Sequence, residues 1–277
     1  MSQVSLSKSV RQNLMSLQST ADLMASTQQK LSTGKRVNSA MDNASNYFTS
    51  SSLNSRASDL SSLLDGISNA TKTLEAANNG ITAIKKLVES AQSTMRQAAA
   101  TDATDTVTLG KLEDQYNETI SQIDKIAADS GFNGVNLLDG GANAFKVTFN
   151  EKTGAAKNEL SIDHVDSDSG GLGLAAIGAG TLDATVAQTT LDDLNDALTT
   201  LRGFASSFGS NATTIQIRQD FTKSTINTLK TGADNLVNAD INEEAATLLA
   251  LQTRQSISQS ALSMANQQDQ AVLRLFG

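Results

Sequence analysis

The chain has 277 residues and a formal charge of −8, from 29 acidic against 21 basic side chains; that balance argues against nucleic acid as a partner, because neutralising phosphates takes clustered Lys and Arg. Apolar residues make up 39% but aromatics only 4%, a stock of small side chains that suits long helices packed side by side, and no run approaches the roughly 20 apolar residues of a membrane span. Cys and Pro are both absent, so there are no disulfides, no helix breakers and no slow prolyl isomerisation step.

The first ten residues lack a basic start followed by an apolar run, so no cleavable secretory signal is expected. A first helix is predicted from about Ser5 to Ser32. Val10, Leu14, Leu17, Ala21, Met24, Gln28 and Leu31 keep a four-three rhythm, the narrow seam of a coiled coil. Gly34 follows among Lys30, Lys35 and Arg36, a helix stop with cations near the negative end. The stretch LSTGKRVNSAMDNAS, Leu31–Ser45, contains a polar connector rich in turn formers.

A second helix is predicted from about Ser45 to Ala100, with Leu53, Ala57, Leu60, Leu64, Ile67, Thr71, Leu74, Asn78 and Ile81 in the same alternation. The pattern slips one place near Gly80 and continues as Ile84, Leu87, Ala91 and Met95. A helix of that length is on the order of 80 Å long. After a short loop, Leu109, Leu112, Tyr116, Thr119, Ile123 and Ile126 mark a third helix, closed at Ser130-Gly131. GFNGVNLLDGG then carries Asn133-Gly134, a strong turn signal. Phe145, Val147 and Phe149, then Leu160 and Ile162, alternate with polar residues and predict one β-hairpin. Gly170–Gly180 reads as a loose glycine-rich link.

The fourth helix has the cleanest pattern: Leu191, Leu194, Leu198, Leu201, Ala205, Phe208, Ala212, Ile215, Gln219, Thr222, Ile226, Leu229, Ala233 and Leu236, without a slip. The last begins at Asp240, an N-cap oxygen with Glu243 three residues on. It carries two adjacent seams. One is Ile257, Ala261, Met264, Ala271 and Leu275; the other is Leu251, Leu262, Ala265, Val272 and Phe276. Together they make a stripe wider than a two-stranded coiled coil needs.

Each terminal helix alone is marginal in water, and pairing the two is the simplest way to bury both seams. The fold expected is therefore mainly α: a long nested helical bundle in which chain ends meet chain ends and inner halves meet inner halves, with a small hairpin at the tip. Its segments are 1–44 (first inner helix and connector), 45–139 (bundle), 140–186 (short hairpin and glycine-rich loop), 187–239 (bundle) and 240–277 (last inner helix). The bundle seam is assigned to Leu60, Leu64, Ile67, Leu74, Leu198, Leu201, Phe208, Ile215, Ile226 and Leu229.

Catalytic chemistry finds little support. His164 lies in DHVDSDSGG near Asp163, Asp166 and Asp168, but a calcium loop needs a helix–loop–helix setting and a terminal bidentate acid. GLGLAAIGAG at Gly171–Gly180 lacks the βαβ frame of a nucleotide site. No Cys is present as a nucleophile, and one His has no placed Ser beside it. No catalytic, cofactor or metal site is assigned, and the chain is read as a non-enzyme.

Three separated motifs carry a family resemblance. LSTGKRVNSAMDNAS at Leu31–Ser45 resembles the N-terminal region of bacterial flagellins. GFNGVNLL at Gly131–Leu138 resembles their turn after the third helix. ADINEEAATLLALQTRQSISQSALSMANQQDQAVLRLF at Ala239–Phe276 is similar to their C-terminus nearly throughout. The resemblance implies a structural subunit of the flagellar filament, exported unfolded by the flagellar export apparatus without a cleaved signal. It implies an extracellular polymer of the chain with itself and with sister flagellins. By the same resemblance its other partners are an export chaperone, the filament cap and the hook-junction proteins; neither nucleic acid nor membrane is among them. Carried over position by position, Val10, Leu14, Leu17, Met24, Leu31, Leu251, Leu262, Met264, Val272, Leu275 and Phe276 become inner-core packing residues. Arg36, Asn38 and Asp42 fall in the connector between layers. The family's innate-receptor epitope is not carried over onto Leu87–Ala98. A hook–filament junction protein and a coiled-coil adaptor rod unrelated to motility are the alternatives.

A chain that threads a channel unfolded gains from lacking proline. Refolding of the denatured chain is expected to finish without a phase lasting tens of seconds, the signature of prolyl isomerisation. Such a phase in a mixing experiment would count against this reading.

Overall fold

The computed structural model describes the backbone of residues 8–276, and side chains as far as Ala271 apart from Ser9 and Asp269. The elements are α1 (Lys8–Thr33), α2 (Ala44–Ala100), α3 (Thr106–Asp129), β1 (Phe145–Thr148), β2 (Glu159–Ile162), α4 (Ala184–Val237) and α5 (Ile241–Phe276). They form two compact units, one from residues 1–56 with 228–277 and the other from 57–227. Each unit draws on both halves of the chain, so the mainly α, nested pairing of ends with ends and middles with middles is what the fold shows.

In the 57–227 unit the core is one continuous cluster. From α2 it takes Ile67, Ala70, Leu74, Ala77, Ile81, Ile84, Val88, Ala91, Met95 and Ala98, an unbroken three-four alternation. The slip expected at Gly80 is therefore absent, and Asn78 is exposed. The reason is size: Ala70 and Ala77 sit where the seam needs a small side chain, and the bulkier, polar Thr71 and Asn78 lie beside it. From α4 the core takes Leu191, Leu194, Leu198, Leu201, Phe208 and Ile215, as their spacing predicts. Of the assigned seam, Leu60 and Ile226 are also buried and Leu64 is half-buried against the cluster. Leu229 is half-buried and belongs to the other unit. Gln92 of α2 donates to the side-chain oxygen of Asn195 of α4 at 2.9 Å, a polar link inside an apolar seam.

Caps set the helix starts. Asp105 accepts from the Thr108 amide at 3.0 Å and opens α3. Asp183 accepts from the amides of Thr185 and Val186 at 2.9 and 2.8 Å, which starts α4 three residues before 187. At the far end of α3, Asn133 and Gly134 both take positive φ, 50° and 79°. That pair forms the two-residue turn that lets Phe132 and Val135 exchange backbone hydrogen bonds at 2.8 and 3.0 Å. The hairpin pairs Phe145 with Ile162 and Val147 with Leu160 in antiparallel register. Val147, Phe149 and Ile162 face the core, and the Arg218 guanidinium lies over the Phe149 ring, 5.6 Å from its centroid.

The glycine-rich stretch is not a loose link. Leu172, Leu174, Ile177 and Leu182 are buried in the core, and α3 holds the backbone between them. Asp124 accepts from the Ser169 amide at 2.8 Å. Tyr116 donates its hydroxyl to the Ala175 carbonyl at 3.2 Å. Asn117 both donates to the Ile177 carbonyl and accepts from its amide, each at 2.9 Å. The buried Glu113 carboxylate accepts from the Gly180 amide through both oxygens, at 3.1 and 3.0 Å. The sequence signal was present but split: alternate Leu and Ile among glycines on one side, a polar α3 face on the other.

Gly80 tests the packing. A β-carbon there would overlap the Ser130 side chain and a Leu138 methyl, whereas one at Gly203 of α4 would meet open space. Gly203→Ala is expected to raise stability by up to about 1 kcal/mol through helix propensity. Gly80→Ala is expected to lower it, since overpacking costs about 1–3 kcal/mol. Thermal melts followed by circular dichroism check the opposite signs.

Candidate assembly surface

The unit made from the chain ends is built on α1 and α5. Lys30, in the last turn of α1, bonds Glu244, in the first turn of α5, at 3.0 Å, so the two helices run antiparallel. The chain entering and leaving the pair is locked as well. Arg36 and Val37 donate backbone amides to the Val237 carbonyl at 2.7 and 3.2 Å, and Ala239 donates to the Gly34 carbonyl at 3.0 Å. Gly34 takes φ 67°, which a side chain with a β-carbon adopts only with strain. Asp240 caps α5 through the amides of Asn242 and Glu243 at 2.9 and 3.3 Å. The acid that reaches across to α1 is Glu244.

Along the α1 seam the packed positions are Val10, Asn13, Leu17, Thr20, Met24, Thr27 and Leu31. Val10, Leu17, Met24 and Leu31 are common to the sequence-derived rhythm. The alternate positions shift by one, to Asn13, Thr20 and Thr27 in place of Leu14, Ala21 and Gln28. Thr20 and Thr27 are buried, and Thr20 satisfies its hydroxyl on the Ser16 carbonyl at 2.8 Å. Small hydroxyl side chains let the helices approach closely and cost little when bonded back to their own helix. Leu14 is consequently 47% exposed.

On α5 the facing positions are Glu244, Leu248, Leu251, Gln255, Ser258, Leu262 and Ala265. This is the seam that contains Leu251 and Leu262. Of the other seam, Ile257 is 64% and Met264 61% exposed, while Ala261 between them is half-buried. Val272, Leu275 and Phe276 have side chains outside the described residues. Among described residues of the two helices, Val10 and Leu251 are the only buried apolar side chains. Leu14, Met15 and Leu23 of α1 and Leu249, Ile257 and Met264 of α5 stand open.

The connector is a hydrogen-bonded turn. Asp42 accepts from the amides of Asn38 and Ser39, both at 2.9 Å, and from the Ser39 hydroxyl at 3.3 Å. Asn43 then caps α2 on the Asn46 amide at 3.0 Å. Arg36 and Asp42 line one polar recess with Lys30, Asn43 and Asn46. Asn38 lines another with Tyr47, Asp234 and Val237. The Ser39 amide first, then that of Asn38, holds the exposed Asp42 carboxyl below its ordinary range, with Lys30 adding a smaller pull.

No group of three or more His, Cys, Asp or Glu capable of holding a metal occurs among the described residues. His164 bonds Asp139 through Nδ1 at 2.8 Å, and this contact lowers the Asp139 pKa. Burial, then the Asp168 charge, raises that of Asp166. Burial, helped by Asp193, pushes the Tyr116 phenol up to about 12. No helix among the described residues is long and apolar enough to cross a membrane.

The terminal helices share one packed seam and leave apolar side chains open on their outer faces. Comparison with known proteins identifies the family. Residues 4–143 match the bacterial flagellin N-terminal helical region, and residues 191–276 match the bacterial flagellin C-terminal helical region. Flagellin FljM of Caulobacter vibrioides is 30% identical over 95% of this chain and 94% of its own. A flagellin of Brucella melitensis is 28% identical over 95% of each. A crystal structure of Bacillus cereus flagellin overlaps 56% of this chain and 86% of its own, with 21% identity and a TM-score of 0.46. The chain belongs to the bacterial flagellin family, the structural subunits of the flagellar filament.

The depressed Asp42 pKa has a sign. Its hydrogen bonds to the connector amides favour the ionised form, so their contribution is present above the unfolded carboxylate pKa and disappears as pH falls through the lower folded value. In a carboxylate titration followed by NMR, Asp42 is expected to titrate below about 3.9. The Asn38 and Ser39 amide signals are expected to move with it. A midpoint at or above that value, or amides that ignore the titration, would contradict the turn.

Proposed function

We propose that this chain works by self-assembly through its terminal helices. The observation that carries the reading is that α5 has two apolar seams and the chain's own α1 fills only one. The second, with Ile257 and Met264, and the α1 side chains Leu14, Met15 and Leu23 are what neighbouring copies cover in a helical tube. Val10, Leu14, Leu17, Met24, Leu31, Leu251, Leu262, Met264, Val272, Leu275 and Phe276 serve as the inner-core packing set. Arg36, Asn38 and Asp42 sit in the turn that couples the terminal segments, 1–44 and 240–277, to the bundle segments, 45–139 and 187–239. The chain is a structural molecule with no catalytic role. It is exported unfolded, through an export apparatus and with a chaperone. It joins the filament outside the cell below a cap, next to hook-junction proteins, together with sister flagellins. Family membership supports this setting. Zero proline suits the passage and rapid folding that follow.

Two substitutions separate the inner seam from the outer. Leu262→Asp puts a charge into the α1–α5 seam and is expected to abolish filaments, as is removal of 251–277, while the 57–227 unit stays helical. Met264→Asp alters a side chain that is 61% exposed in the single chain. It is expected to change single-chain stability by no more than about 0.5 kcal/mol and still block polymerisation. Substitutions in Glu151–Asn158 are expected to leave assembly intact. Electron microscopy of purified protein reads the result. Normal filaments from the truncated chain or from Met264→Asp would overturn the assignment.

A further inference from the structure

The chain contains two Asn-Gly pairs, Asn79-Gly80 and Asn133-Gly134, and two Asp-Gly pairs, Asp65-Gly66 and Asp139-Gly140. These are the dipeptides in which a side-chain carbonyl is most readily attacked by the next backbone nitrogen, because glycine offers no side chain to obstruct ring closure. The fold treats the four differently. Asn79-Gly80 and Asp65-Gly66 lie inside α2, where each glycine amide is engaged in the helix's own hydrogen-bond ladder. Gly80 is also buried under Ser130 and Leu138. At Asp139-Gly140 the Gly140 amide donates to the Val165 carbonyl at 3.1 Å, and the Asp139 carboxylate is held by His164 and by the Gly141 amide.

Asn133-Gly134 alone among the four has neither partner engaged. The two residues form the corner of the turn between Phe132 and Val135, and only those flanking residues make its hydrogen bonds. Neither the Gly134 amide nor the Asn133 side chain has a hydrogen bond among the described residues. Both residues are exposed, and open space surrounds Gly134.

We propose that Asn133 is a site of spontaneous deamidation, selected by the fold from four chemically eligible pairs. The Gly134 nitrogen, losing its proton to solvent base, attacks the Asn133 side-chain carbonyl carbon. A carbon–nitrogen bond forms, the Nδ2 group leaves as ammonia, and a succinimide results. Water then opens either imide carbonyl, giving aspartate or isoaspartate. One water is consumed, one ammonia is released, and no electrons are transferred. Either product adds a negative charge. Isoaspartate also lengthens the backbone by one carbon in a turn whose geometry demands two residues of positive φ, so it breaks the Phe132–Val135 pairing. Just beyond, the Asn136 side chain clasps the Ala127 and Ala128 carbonyls at 2.8 and 3.1 Å, so the change falls at the closing turn of α3.

The two Asn-Gly pairs supply an internal control. The full-length soluble protein would be incubated in mildly alkaline buffer and digested. Peptide mapping by mass spectrometry would follow each site, with chromatography separating the two acid products. In the folded chain, Asn133 is expected to convert at least about tenfold faster than Asn79, whose reaction waits for local opening of α2. In denaturant the two rates are expected to converge, because both asparagines then precede glycine in an open chain. Comparable rates in the folded protein would overturn the proposal. So would a large Asn133 excess that persists in denaturant, because the selectivity would then come from local sequence and not from the fold.

Discussion

The contact on which the rest depends is the antiparallel pairing of α1 with α5, and among the described residues it buries few apolar side chains. Val10 and Leu251 are its buried apolar side chains among the described residues, while Thr20 and Thr27 occupy central packing positions. A buried Val or Leu contributes about 1.5–3 kcal/mol, and ordering backbone costs about 1–2 kcal/mol per residue. Between helices of 26 and 36 residues that is a small apolar contribution from the described side chains. Ile257 and Met264 stay open beside it. A soluble chain ordinarily avoids contiguous exposed apolar stripes; a polymer subunit needs one.

The 57–227 unit shows the opposite condition. Its helices bury a continuous three-four stripe, the hairpin covers one part of the cluster, and the glycine-rich strap covers another. Every anchor of that strap is a polar α3 side chain on a backbone amide or carbonyl. Such bonds hold a segment that has few side chains of its own to pack, and glycine then serves to let the backbone lie close. Within one chain, one unit is closed by its own side chains and the other is left open for others.

Much of this was readable beforehand because period carries so much information in long helices. The α4 seam from Leu191 to Leu236 and the hairpin of Phe145, Val147, Leu160 and Ile162 stand where their spacing puts them. Two helix seams lie one place away from the expected rhythm. In α2 the seam uses Ala70 and Ala77 in place of Thr71 and Asn78, and in α1 it uses Asn13 and Thr20 in place of Leu14 and Ala21. Close-packed seams are built from small residues and from hydroxyls bonded back to their own helix, and neither stands out by size or hydropathy. The strap was missed for a different reason: its partners lie about 45–67 positions away along the chain and bond to backbone, which leaves no periodic trace.

Amide hydrogen exchange, read residue by residue on dilute single chains and again on assembled filaments, tests the central claim most directly. The account predicts weak protection in α1 and α5 of the dilute chain beside strong protection along the α2, α3 and α4 seams of the 57–227 unit, with the terminal helices becoming protected on assembly. Terminal helices as strongly protected in the dilute chain as those inner seams, and unchanged by polymerisation, would contradict it.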